Sequence, residues 1–178
     1  IEPDFITIAK GLTSAYAPLS GSVISKRVME VLLQGSEEHG LLAHGFTYSC
    51  HPVSAAAGVA TLDLIDRLDL LANTRAVGPY LLDGLRAALG GHPNLGEVRG
   101  VGLLAAVELM EDPGARAWFP TMSVAPKVIA AMLRRGVIAR ALPEGDIIGF
   151  APPLCLTHGE ADRLVAALSE SVREVLGG

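Results

Sequence analysis

The sequence predicts an α/β chain in two parts, a first piece over residues 1–68 and a small α+β domain over 69–178. Three observations carry that expectation. A short, partly β-branched apolar run from Phe5 to Ala9, bounded by Pro3 and Gly11, reads as a buried strand rather than a helix. Two long Ala-, Leu- and Val-rich stretches then follow, from Val53 to Leu71 and from Leu70 to Leu89, both too long for strands. After Gly90-Gly91-His92-Pro93 the pattern changes to short apolar runs separated by one amphipathic helix and closed by another.

The chain has 178 residues, 50% of them hydrophobic, with a formal net charge of -5. That is enough for one sizeable domain or two small ones. With mild acidity and no basic patch, no nucleic-acid partner is expected. Gly, Arg and Asp interrupt every apolar run before it reaches membrane-spanning length, and there is no signal-peptide pattern, so no membrane association is expected. The two cysteines, Cys50 and Cys155, lack metal-ligand spacing and read as reduced thiols of a cytoplasmic protein.

Taken in order, the strand ends at Lys10-Gly11, and Leu12 to Leu19 forms a loop. Ser20 to Ser25 alternates small or polar with apolar residues, as a strand does, and Ser25 caps a helix from Lys26 to about Leu33. Gln34 to Leu42, with Gly35 and Gly40, reads as a mobile loop. His44 to Pro52 is a polar loop, and Pro52 suits the first turn of the helix that follows. That helix has apolar residues on nearly all faces and reads as buried, emerging toward solvent at Asp63, Asp66 and Arg67. The next helix runs over 70–89, and His92 beyond it lies in a turn with no catalytic role expected.

Val98 to Leu109 contains one long strand whose small residues allow close backbone approach, with Arg99 in a structural role. Glu111 to Val124 is a loop. Ala125 to Arg135 is an amphipathic helix with Val128, Ile129, Met132 and Leu133 on one face and Gly136 as its terminating glycine. Val137 to Leu142 and Ile147 to Ala151 form a hairpin around Pro143-Glu144-Gly145-Asp146. Thr157 and Glu160 make a capping box for a final helix from His158 to about Leu176.

Chemistry centres on lysine. The chain has three, and Lys26 and Lys127 sit in helical patterns on solvated faces. Lys10 is thus the candidate for covalent chemistry. It stands at a strand end, where ligands of α/β proteins gather, and Gly11 lets the backbone turn and leaves room for a bulky group. In a dry pocket an amine loses basicity and can condense with an aldehyde. Spacing alone fits equally a surface lysine closing a strand. The hydroxyls and amides of His44 to Pro52 lie before a helix N-terminus and could bind phosphate, or simply cap the helix. Arg140 interrupts its strand with a group that could grip a carboxylate through two parallel hydrogen bonds, or could merely face solvent.

The segment Pro3-Asp4-x-Ile6-x-x-Ala9-Lys10-Gly11-Leu12-Thr13-Ser14-x-Tyr16-x-Pro18-Leu19 resembles the cofactor-lysine region of the class III aminotransferases, pyridoxal-phosphate enzymes of fold type I. The ω-aminotransferase branch is the closest in pattern. The resemblance continues at His44-Gly45-Phe46-Thr47-Tyr48-Ser49-x-His51-Pro52-Val53 and at Ile148-Gly149-Phe150-Ala151-Pro152-Pro153-Leu154. It implies the end of a fold type I large, cofactor-binding domain followed by the small C-terminal α+β domain. A family member has a long preceding half. That half holds a Gly-Ser turn for the phosphate, an aromatic stacked on the ring and an Asp paired with the pyridine nitrogen. None of these maps onto this chain, which therefore reads as the C-terminal portion of a larger enzyme, incomplete and inactive alone.

The resemblance further implies pyridoxal 5'-phosphate as cofactor, bound at Lys10, Phe46 and Thr47. Lys10 would form the Schiff base and shuttle the proton. Thr47 would reach the phosphate of the neighbouring subunit, which implies a homodimer with shared active sites. Cys50 stands where the family usually has glycine, so the loop is strained if that position needs a positive φ. Arg140 would recognise the substrate carboxylate and swing aside for amines lacking one. The implied reaction moves an amino group from a small-molecule amine or ω-amino acid to a keto acid such as pyruvate. The same scaffold hosts aminomutases and decarboxylases. A non-catalytic fragment acting only as a folded dimerisation unit is the reading from a different class. No metal site is expected.

Overall fold

A computed structural model describes residues 1–178. The chain divides into two compact units, Ile1–Asp69 and Leu70–Gly178. No helix is long and apolar enough to cross a membrane.

In the first unit, β1 (Phe5–Ile8) pairs antiparallel with β2 (Gly21–Ile24), Phe5 opposite Ile24 and Ile8 opposite Gly21. A 3₁₀ turn over Lys10–Thr13 follows β1, and buried Thr13 donates its hydroxyl to the Ala17 carbonyl. Helices α1 (Lys26–His39) and α2 (Pro52–Arg67) complete the unit. Ser25 caps α1 as expected, its hydroxyl accepting from the Val28 amide.

Three expectations change here. β1 is exposed on both faces within this chain, with Phe5 63% and Ile6 48% accessible and β2 as its neighbour in the sheet. α1 runs on to His39 through the stretch expected to be a mobile loop. Gly35 costs a helix only about 1 kcal/mol, Ser36 donates back to the Leu32 carbonyl and Gln34 bonds Glu38 one turn on. The true stop is Gly40, at φ +88°. α2, expected to be buried, hides only Ser54 and Gly58. At Gly58 the Leu19 side chain lies so close that a Cβ would sit 2.8 Å from it, while Val53, Val59 and Leu62 face solvent.

The second unit is a four-stranded antiparallel sheet, β3 (Leu95–Val101), β4 (Leu104–Leu109), β6 (Asp146–Phe150) and β5 (Arg140–Ala141) in spatial order. Three helices, α3 (Leu70–Leu89), α4 (Val124–Arg134) and α5 (His158–Leu176), share a core with it. The alternation of β4 and β6 explains that core. Ala105, Val107 and Leu109, with Asp146, Ile148 and Phe150, turn to the buried side. There they meet Leu81 and Leu85 of α3, Val128 and Met132 of α4, and Leu168 and Val172 of α5.

The single long strand expected over 98–109 is instead a hairpin. Val101 pairs with Leu104, and Gly102, at φ +57°, heads the two-residue turn between β3 and β4. The turn exists because Gly78 of α3 has no side chain: a Cβ there would lie 2.5 Å from the Gly102 carbonyl oxygen. The short β5 replaces most of the strand expected over 137–142, and Leu133, placed on the buried face of α4, is 61% exposed. α3, the Gly136 terminator, the Gly145 turn and the Thr157–Glu160 capping box stand as expected. His92 is a structural link. Its Nδ1 accepts the Asn94 amide and its Nε2 bonds the Gly177 carbonyl.

Asp146, 2% exposed, reaches across from β6 and accepts the amides of Val124 and Ala125 at 2.8 and 2.7 Å. It caps α4 in place of Ser123, whose side chain makes no cap bond. Asp146→Ala strands two buried donors, and we expect a loss of about 1–3 kcal/mol in urea unfolding, with Asp146→Asn losing less. Equal midpoints for wild type and Asp146→Ala would count against the cap.

Candidate active site

Lys10 opens the turn after β1 with its own backbone in the left-handed region, at φ +54°. The sequence reading gave this turn to Gly11. Gly11 is not among the positive-φ residues; Lys10, Ser14 and Ala15 are. A non-glycine residue in that region costs roughly 1–2 kcal/mol, and such cost gathers where geometry serves function. Gly11 still provides room, since nothing lies within 4 Å of where its Cβ would be. Lys10 lines an open cavity of about 410 Å³ with Thr13, Tyr16, Pro18 and Leu19. Tyr16, given no role from sequence, therefore shares the lysine's surroundings. Lys10 is exposed, so the expected dry pocket is not formed by this unit. Of the three lysines only Lys26 is ion-paired, to Glu30 at 3.6 Å.

The second stretch is a tight turn before α2. The Phe46 amide donates to Ser49 Oγ and the Ser49 amide to the Phe46 carbonyl, each at 2.9 Å. Thr47 lies inside this turn, exposed. Cys50 has φ +57°, so the glycine-like position carries a side chain and the strain foreseen from sequence is real. At the start of α2, His51 is the N-cap residue without a side-chain cap bond and Pro52 occupies the first turn. The start of α2 is thus left without a side-chain cap, a feature suited to an anion. Phe46 lines a cavity with Tyr48, Ser49, Cys50, His51 and Ser54; it shares Pro18 and Leu19 with the Lys10 cavity. Thr47 lines neither.

Arg140 belongs to the second unit, on the sheet face away from the helices. Register places Arg99, Ala106, Gly149 and Arg140 in one row across all four strands. With strands about 4.8 Å apart, an arginine stands at each end of a floor of two small residues. Both line an open groove of about 850 Å³ with Val101, Leu104 and Ile138. The two cations are not equivalent. Arg99 is held by Glu108 at 2.6 Å and Glu97 at 2.7 Å, and these partners, Glu108 first, raise its pKa above the ordinary arginine value. Its structural role is as expected. Arg140 has no carboxylate partner in the chain and remains available to an anion.

The family model for aminotransferase class-III matches residues 1–172, and the chain belongs to that family. It is 52% identical over 176 residues to a diaminobutyrate–2-oxoglutarate transaminase of Halomonas elongata, covering 98% of this chain and 38% of that protein. It is 38% identical over 164 residues to a putrescine–pyruvate aminotransferase of Pseudomonas aeruginosa, covering 92% of this chain and 34% of that one. Among solved structures, one described under directed evolution of transaminases by ancestral reconstruction is 55% identical with a TM-score of 0.95, covering 98% of this chain and 38% of that chain. An (S)-enantioselective omega-transaminase from Thermomicrobium roseum is 40% identical with a TM-score of 0.90, covering 99% and 38%. The chain thus spans well under half the length of the relatives it matches, and its mixed α/β fold is part of the fold type I transaminase fold.

Because Cys50 carries a side chain where the backbone is left-handed, Cys50→Gly should stabilise the loop by about 0.5–1 kcal/mol. Thermal unfolding would read this as a higher Tm, and a lower one would mean that the thiol makes contacts that outweigh the strain.

Proposed function

We propose that this protein is a pyridoxal 5'-phosphate-dependent aminotransferase. It moves an amino group from an amine or ω-amino acid to a keto acid such as pyruvate, working as a homodimer with shared active sites. The observation that carries the reading is Lys10: an exposed amine without an ionic partner, on a turn whose left-handed residue is the lysine itself.

The residues present suit the cofactor. Lys10 supplies the primary amine, and the space beside Gly11 admits a bulky ring. The uncapped start of α2, with the Thr47 hydroxyl, suits a phosphate, and Phe46 offers an apolar flank. When bound, pyridoxal 5'-phosphate supplies an aldehyde that condenses with amines and a ring that accepts the electron pair left on the substrate carbon. Lys10 Nζ would take the proton from the amine-bearing carbon of the substrate and deliver it to the cofactor carbon within the same half of the reaction, base and then acid. Thr47 donates its hydroxyl to the phosphate of the neighbouring subunit. Arg140 orients a substrate carboxylate through charge-assisted hydrogen bonds. The substrate class is supported by the names of the relatives: diaminobutyrate, gamma-aminobutyrate and putrescine all carry a terminal amine. Two exposed free thiols, Cys50 and Cys155, suit the reducing cytoplasm.

Borohydride reduction followed by peptide mass mapping tests the reading. Wild type should carry a reduced adduct on Lys10, and Lys10→Ala none; an adduct retained in the variant would sink the assignment. Thr47→Ala should weaken cofactor affinity while leaving the covalent link. Arg140→Ala should raise KM for a keto acid by about tenfold or more, as loss of a charged hydrogen bond does, and leave KM for a simple amine unchanged. Turnover without any amino acceptor would point instead to a mutase or decarboxylase.

A further inference from the structure

Gly149 lies inside β6 and pairs directly with Arg140 of β5. A glycine within a strand weakens it relative to alanine, and it marks a bulge, a bend or the close approach of a ligand or another backbone. No bulge is present, since β6 pairs with β4 without a break from Asp146 to Phe150. Gly149 is not among the positive-φ residues, so its conformation suits any side chain. Backbone packing does not call for glycine either. A Cβ at Gly78 or Gly100 would lie 2.5 or 2.3 Å from a backbone oxygen, but at Gly149 the nearest backbone atom is the Arg140 carbonyl oxygen, at an ordinary 3.7 Å. The closest atom of all is Leu142 Cδ2 at 3.1 Å, the tip of a half-buried side chain with room to move.

What glycine leaves here is open surface beside Arg140. Ile148 and Phe150 join the core, so Gly149 belongs to the other face of the sheet, with Arg140. On the neighbouring strand Ala139 and Ala141 pack toward the core, and Ile138, Arg140 and Leu142 take the opposite side. Ile138 and Leu142 thus flank Arg140 along its own strand, and β5 is the edge of the sheet. Toward the sheet its paired neighbour is Gly149. Paired residues carry Cβ atoms about 4.5–5.5 Å apart, so a side chain at 149 would rise against the stem of Arg140. Strand register within one unit sets all of these relations.

We infer that Gly149 is a specificity-determining residue: by raising no side chain beside Arg140, it admits the carboxylate end of an amino-acid substrate to the guanidinium across β6. The inference rests on the proposed role of Arg140 and deepens it. Leu142, lying over Gly149, supplies an apolar wall next to that carboxylate.

Three probes of one chain length test this on the intact enzyme: γ-aminobutyrate, butylamine, which lacks the carboxylate, and butyrate, which lacks the amine. Gly149→Val should raise KM for γ-aminobutyrate by about tenfold or more, the order of loss for a charged hydrogen bond, and leave KM for butylamine unchanged. Calorimetry should show butyrate binding weakened to the same degree, a readout that needs no turnover. Gly149→Ala should shift both in the same direction by less, and it covers the case in which Gly149→Val does not fold, because alanine suits a strand better than glycine. Equal losses with butylamine would mean a packing role and overturn the inference. So would unchanged γ-aminobutyrate and butyrate values in both variants when Arg140→Ala is impaired. Full recovery of Gly149→Val by an added Leu142→Ala would also overturn it, because the glycine would then serve only to seat Leu142. An Arg140→Ala variant that matches wild type with both carboxylates would overturn the role of Arg140 in the proposed function, and this inference with it.

Discussion

One-sided burial of the four-stranded sheet is the constraint on which the second unit depends. Alternate residues of β4 and β6 face α3, α4 and α5, and that side alone supplies the core. The opposite side is thereby released for Arg99, Arg140 and the small floor between them. Backbone contact makes this possible: Gly78 meets the Gly102 turn, and Gly100 lies where a Cβ would be 2.3 Å from the Leu104 carbonyl oxygen. Larger residues at either place would push α3 off the hairpin and open the core.

Polar groups hold together what apolar burial does not. Asp146 caps α4 from a neighbouring strand. Arg134 and Arg135 tie α4 to Glu170 and Glu174 of α5, exposed pairs that add orientation more than stability. In the first unit the balance tilts further. At the end of its two-stranded sheet, Asp4 accepts from the Ser25 hydroxyl and from Arg27. This unit also holds left-handed backbone at Lys10, Ser14, Ala15, Cys50 and Asp69, while the second unit has one such non-glycine residue, Arg116.

Much of this was legible in local chemistry. The 3.6-residue spacing of Leu81, Leu85 and Leu89 marks the buried face of α3 over 70–89, and Thr157 with Glu160 names the start of α5. The motif around Lys10 carries the family. What failed depended on partners far along the chain. The run Val98 to Leu109 looks like one strand because nothing nearby shows that Gly102 must turn beneath Gly78. α2 looks buried because its composition is apolar all round, yet composition does not say what lies against it.

The sequence by itself determined the course of α3, α4 and α5, the glycine that ends α4, the capping box of α5, and which lysine is the candidate for covalent chemistry. Each of these is set by neighbours a few residues away, through spacing, capping and side-chain type. Only the tertiary structure decided that Arg99 and Arg140 share one row, that Arg99 is ion-paired while Arg140 has no such partner, and that Asp4 meets Ser25 and Arg27. Those facts come from strand register and from contacts across 9 to 23 residues of chain, and residue spacing alone does not encode them.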